Sequence, residues 1–151
     1  MNFKVKWSPE MTDYYKHGST VEYLDGKKVV FFKNNMLSPG AILTKWVSNP
    51  NYQRDRSFMQ LPLLEKGKSY HISLQAKASP KPSPLIKITF YNRVEEVIGT
   101  KLISNNEGDF TYPPKAYAYA IELLNNGIEE LFFQKIVITS NRKGGEALEQ
   151  K

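Results

Sequence analysis

Apolar and polar residues alternate in short runs along this chain. Gly, Pro and Asn break the runs before any sustains a helical period. In "SYHISLQAK", Tyr70, Ile72, Leu74 and Ala76 share one face, and His71, Ser73, Gln75 and Lys77 share the other. A period of two predicts a strand with one buried and one wet face. "LIKITFY" repeats the pattern, with Ile86, Ile88 and Phe90 inward and Lys87, Thr89 and Tyr91 outward. Between them, "SPKPSP" (Ser79–Pro84) carries three prolines. Proline cannot donate to a ladder, so this piece predicts a turn or an unpaired edge. The stretch from Leu61 to Arg93 thus reads as a strand, a turn and a second strand, in the manner of a hairpin.

The same reasoning extends along the chain. "FKVKW" (Phe3–Trp7) predicts an early strand, and "TVEYLDGKKVVFFK" (Thr20–Lys33) a hairpin turning at Asp25-Gly26, where a type I′ turn needs positive φ. A strand follows near Ile42–Val47. "NPNYQRDRSFMQLP" (Asn49–Pro62) reads as a long polar loop ending in a short strand. Further strands are predicted at Glu96–Ile103, Phe110–Tyr112, Ala116–Leu124 and Glu129–Thr139. In the last, apolar parity shifts between Phe133 and Ile136, which predicts a bulge near Gln134-Lys135. About nine or ten one-faced strands must bury their apolar sides against each other. The fold class expected is all-β: a two-sheet antiparallel β-sandwich of the jelly-roll kind over residues 1–139, with a polar tail over 140–151. A closed barrel is the alternative that periodicity leaves open.

Composition narrows the chemistry. The chain has 151 residues and no cysteine, so disulfides, thiol nucleophiles and Cys-based zinc sites are excluded. "MNFKVKWSPEM" has no apolar h-region, so no secretory signal is expected, and no apolar run reaches membrane-spanning length. The net charge of +6 favours anionic partners. The densest basic clusters, Gly26–Lys28 and Asn141–Gly145, are short, so most lysines are expected to solvate the surface and nucleic acid is not an expected partner. His17 and His71 lack metal-binding spacing, and His71 is expected on a solvent face. The pairs Glu95-Glu96 and Glu129-Glu130 point to opposite sides of a strand, which does not make an acid/base dyad. No nucleophile elbow, phosphate loop or dinucleotide fingerprint occurs. The expectation is a protein that is not an enzyme, with no catalytic residues, no metal and no cofactor.

Exposed aromatics remain as candidate chemistry, because rings with polar neighbours stack on sugars and anchor protein contacts. Trp46, Tyr52, Arg54 and Arg56 fall in one short region, and Tyr91 and Arg93 end a predicted strand. These six are the candidate partner- or glycan-binding residues. Trp46 also fits a core position, as buried aromatics do in β domains. The loop with Tyr52, Arg54 and Arg56 fits a contact surface better.

Four stretches carry a resemblance: "SPGAILTKW" (Ser38–Trp46), "LPLLEKGKSY" (Leu61–Tyr70), "ITFYNR" (Ile88–Arg93) and "FTYPPKAYAYAIELLNNG" (Phe110–Gly127). Their order and spacing, from Trp7 to about Thr139, resemble the small third protein of the accessory Sec secretion system of Gram-positive bacteria. The resemblance implies a carbohydrate-binding-module-like sandwich and a non-enzymatic subunit. It implies assembly with two larger accessory Sec proteins and the accessory SecA motor, in export of serine-rich-repeat glycoprotein adhesins. The glycosylated adhesin is a further candidate partner. The expected location is the cytoplasm, with peripheral association at the inner face of the cell membrane as an extension. A free-standing carbohydrate-binding module is the alternative function.

Overall fold

The structure, a computed structural model, describes residues 2–8, 13–48, 60–80 and 83–140. Its strands are β1 (Asn2–Val5), β2 (Asp13–Tyr14), β3 (Thr20–Leu24), β4 (Val29–Lys33), β5 (Ile42–Val47), β6 (Ser69–Ser79), β7 (Leu85–Tyr91), β8 (Val97–Ile103), β9 (Glu107–Thr111), β10 (Ala118–Leu124) and β11 (Glu130–Ser140). One sheet runs β3-β4-β11-β6-β9, with β1 also paired to β11. The other runs β2-β5-β10-β7-β8, and every pairing is antiparallel. The two sheets are separate, so the sandwich holds and the closed barrel does not.

The long strand β11 organises the first sheet. One edge pairs with β6 over nearly its full length. The other edge pairs first with β4, through Glu130–Phe133, and then with β1, through Ile136–Thr139. The register to β6 shifts between Phe133 and Lys135, so Gln134 is the inserted residue. The bulge therefore forms where the sequence parity predicts it. It keeps Leu131 and Phe133 on the same inward side as Ile136 and Ile138, all fully buried.

Phe133 projects from the first sheet into an aromatic cluster that reaches the second. Its ring lies 5.5 Å from Trp46 of β5, stacked, and 5.7 Å from Trp7, edge-on. Trp7 also meets Phe32 at 5.9 Å and Tyr14 at 5.8 Å. A second aromatic chain crosses the core toward one end of the sandwich, through Tyr70, Phe110, Phe90, Tyr112 and Tyr119.

Three sequence expectations need correction. β6 and β7 are not a hairpin: β6 belongs to the first sheet and β7 to the second. The proline-bearing link crosses between layers, because each strand's apolar face must meet the other across the core. The β3–β4 turn is closed by the Lys28 amide donating to the Asp25 carbonyl (3.2 Å), so its central pair is Gly26-Lys27, with φ of 65° and 70°. Asp25 is also at positive φ (49°), so the Asp-Gly pair takes the conformation expected of it, while the closing bond is centred one residue later. Finally, Gln60–Pro62 form no strand. The rest of the Asn49–Pro62 segment expected to form a loop, and the tail from Asn141, lie outside the described residues.

On the outer face of the first sheet, His71 of β6 joins two carboxylates of β9. Its Nδ1 lies 2.8 Å from Asp109 Oδ1 and its Nε2 3.1 Å from Glu107 Oε1. The hydrogen bond to Asp109 raises the imidazole pKa, burial opposes the rise, and Glu107 adds to it. The sequence expectation of a polar surface histidine is met, with a cross-strand clamp added.

Two expectations follow. Deleting Gln134 removes the bulge and turns one half of β11 outward. Its cooperative thermal transition by circular dichroism should be lost, whereas Gln134→Ala should stay within about 0.5 kcal/mol of wild type. For His71, a raised folded pKa means the clamp stabilises most below the unfolded value of 6.5 and fades as pH rises through the folded value. The denaturation midpoint of wild type should therefore exceed that of His71→Gln at pH below 6.5 and converge with it at higher pH. A pH-independent difference would contradict the clamp.

Candidate functional site

The second aromatic chain ends in a surface groove. Tyr119, at the start of β10, is buried, and its hydroxyl donates to the Pro62 carbonyl at 2.6 Å. Burial pushes its phenol well above the ordinary tyrosine range, so the proton stays on the oxygen and the bond persists. The Tyr119 amide donates to Ser48 Oγ (2.9 Å), and the Ser48 amide donates to the Tyr119 carbonyl (2.9 Å). The Val47 amide donates to Gln60 Oε1 at 2.7 Å. These bonds fix Ser48, Gln60 and Pro62 at one end of the second sheet.

The turn after β7 closes the other side. Asn92 Oδ1 accepts from the Val94 amide (3.0 Å) and the Glu96 amide (2.9 Å), while its Nδ2 donates to Glu96 Oε1 (3.0 Å). Such a side-chain-to-backbone cage is what Asn supplies in turns, and here it holds Glu95 at a φ of 66°. The cage orients Arg93, whose guanidinium carbon lies 5.1 Å from the Tyr117 ring centroid, a cation–π pair. The Tyr117 amide donates to the Tyr91 carbonyl at 2.7 Å.

Between these elements lies a groove of about 270 Å³ lined by Val47, Tyr91, Arg93, Tyr117 and Tyr119. A second hollow of about 380 Å³ shares Arg93, Tyr117 and Tyr119 and extends to Leu63 and Leu64. Tyr117 is 55% exposed and Leu63 80% exposed. The surface therefore offers a ring paired with a guanidinium, apolar ground beside them, and a Tyr119 hydroxyl committed to the Pro62 carbonyl. It is equipped to bind flat or apolar groups with polar rims. Among the described residues, no three His, Asp or Glu side chains gather in a metal-holding group.

Of the six residues singled out from sequence, Tyr91 and Arg93 come together here. Trp46 does not: it is 1% exposed, stacks on Phe133 inside the sandwich and donates its Nε1–H to the Lys6 carbonyl at 2.8 Å. Its ring faces are filled by core contacts, so it is corrected from ligand platform to core. Tyr52, Arg54 and Arg56 lie outside the described residues, on a segment whose described neighbours Ser48 and Gln60 are tied beside the groove. Sequence reasoning did not single out Tyr117, which falls inside the strand expected over Ala116–Leu124. The available signal was its position directly after the Pro113-Pro114 turn, before the first ladder pair of β10.

Comparison with known proteins identifies this scaffold. The family model described as "Accessory Sec secretory system ASP3" matches residues 14–140. An accessory Sec system protein of Streptococcus gordonii is 33% identical over 119 residues, which cover 79% of this chain and 74% of that protein. A chain in the crystal structure of accessory secretory proteins 1, 2 and 3 of Streptococcus pneumoniae superposes with a TM-score of 0.83 at 35% identity, covering 91% of this chain and 94% of that one. The CBM22-1 xylan-binding domain from Paenibacillus barcinonensis shares the sandwich architecture alone, with a TM-score of 0.51 at 8% identity over 93% of this chain and 92% of that domain. With the family model spanning most of its length, this chain belongs to the accessory Sec secretory system ASP3 family.

Proposed function

We propose that this chain is a non-enzymatic subunit of an accessory Sec export complex, and that it binds the two larger accessory proteins. The observation that carries the reading is its near full-length similarity to one chain of a crystal structure that contains accessory secretory proteins 1, 2 and 3. The groove at Tyr91, Arg93 and Tyr117 is the contact surface in this proposal. Tyr and Arg are among the residue types enriched in interface hot spots, and Leu63 and Leu64 give the Tyr117–Arg93 pair an apolar border. Tyr52, Arg54 and Arg56, outside the described residues, stay in the proposal as contact residues on their side-chain chemistry alone.

The wider assignments follow from this reading. The subunit works in the cytoplasm, with the accessory SecA motor and the glycosylated adhesin as further partners and with peripheral contact at the membrane. Among the described residues, no helix is long and apolar enough to cross a membrane. A free-standing carbohydrate-binding module is less well supported, because the tryptophan best suited to stack a sugar is inside the core.

The test is co-expression with the two larger accessory proteins, followed by size-exclusion chromatography. Wild type should co-elute as one species. Arg93→Ala with Tyr117→Ala should weaken assembly by roughly 30-fold or more. Its thermal midpoint should be unchanged, because Tyr117 is largely exposed. Separate elution of a folded wild-type chain would overturn the reading, and unaffected assembly of the double variant would remove the groove from it.

A further inference from the structure

The outer face of the first sheet carries a concentration of positive charge that the groove does not use. Lys6, following β1, and Lys135, following the β11 bulge, flank the point where β4 gives way to β1 along β11. Lys4 lies opposite Val137 on the same side, and Lys28 ends the β3–β4 turn. Among the described residues, none of these four lysines has a carboxylate within ion-pair distance. Of the acids on this side, Glu130 pairs with Lys33 (3.9 Å), Glu107 and Asp109 hold His71, Glu22 lies on the edge strand β3 opposite Phe31, and Asp25 lies in the turn with Lys28. The Lys6 ammonium is held below its ordinary pKa by burial first, then by the charges of Lys135, Lys4 and Lys28.

Aromatic surface lies beside this charge. Phe132 is 40% exposed and packs on Phe31 with ring centroids 4.7 Å apart. Lys77 of β6 stands directly opposite Phe132. A shallow hollow of about 310 Å³ opens between Val29, Lys77, Phe132 and Gln134.

We propose that this face, built from Lys4, Lys6, Lys28, Lys77 and Lys135 around the Phe31–Phe132 pair, docks on an anionic phospholipid bilayer. Charge complementarity requires a negative partner. Residue type selects which one. Among the described residues the cluster is entirely lysine, and lysine is depleted from shaped protein interfaces, where arginine's planar fork is enriched. Flexible ammonium groups suit the diffuse charge of lipid headgroups, and a flanking phenyl suits the interfacial zone. The face is on the opposite sheet from the groove, so both contacts fit one molecule at once. The inference deepens the peripheral membrane contact proposed above. It is tested without the partner proteins, so failure to bind lipid leaves the complex reading standing.

The experiment is co-sedimentation of the full chain with vesicles of phosphatidylcholine alone or with roughly one third phosphatidylglycerol, at about 0.1 M salt. Binding should require phosphatidylglycerol and fall at higher salt. Lys6→Gln with Lys135→Gln should cut partitioning by about 25-fold, near fivefold per lysine. Lys87→Gln with Lys101→Gln, on β7 and β8 of the other sheet, makes the same change in net charge and should leave partitioning near wild type. Equal losses from the two pairs would show bulk charge rather than this face, and overturn the proposal. So would an absence of binding to the phosphatidylglycerol vesicles, or equal binding to soluble polyglutamate, which would mark an acidic protein as the partner.

Discussion

One inserted residue sets the geometry on which the sandwich depends. β11 is long enough to serve three neighbouring strands, and a regular strand of that length would twist its later side chains out of phase with the sequence's apolar positions. Gln134 absorbs the mismatch. Because of it, Leu131 and Phe133 face the core against β4 and β6, while Ile136 and Ile138 face it against β1 and β6. Phe133 then stacks on Trp46 of the opposite sheet and meets Trp7 at its edge, so one ring clamps both layers. Burying a side chain of this size contributes on the order of 2–3 kcal/mol, and its removal costs more because the two indoles cannot close the gap.

The groove depends on the core at one remove. The aromatic chain that crosses from Tyr70 to Tyr119 ends in a phenol whose proton is locked to the Pro62 carbonyl. That bond, with those of Ser48 and Gln60, holds the segment before β6 against the end of the second sheet. Arg93 and Tyr117 are then presented on a rigid base by the Asn92 cage and the strand ladder. A binding surface preorganised in this way loses little conformational entropy on contact.

Much of this was legible in the alternation of residues, and the failures share a cause. Period-two patterning shows which side of a strand is buried, so the inward residues of β6 and β7 and the bulge in β11 could be read directly. It does not show which sheet a strand joins, so β6 and β7 read as a hairpin although they sit in opposite layers. Side-chain type left Trp46 open between ligand platform and core, and the indole stacks on Phe133 in the core. Position misled at Tyr117, which keeps the strand's parity but lies before its ladder begins and so is left uncovered. Tyr91 and Arg93 come together at one groove because both stand where β7 runs into the Asn92 turn. The lysine face was invisible, since Lys4, Lys28 and Lys135 are far apart in sequence and meet only through the β1–β11–β4 pairing.

The central claim is that this chain acts through the groove as one member of a multiprotein assembly. Amide hydrogen exchange of the full chain, alone and with the two larger accessory proteins, tests it most directly. The account requires new protection at Asn92–Glu96 and Tyr117–Tyr119 in the mixture, with the β3–β4 turn left as fast as in the free chain. Unchanged exchange at the groove, or protection confined to the opposite sheet, would contradict it.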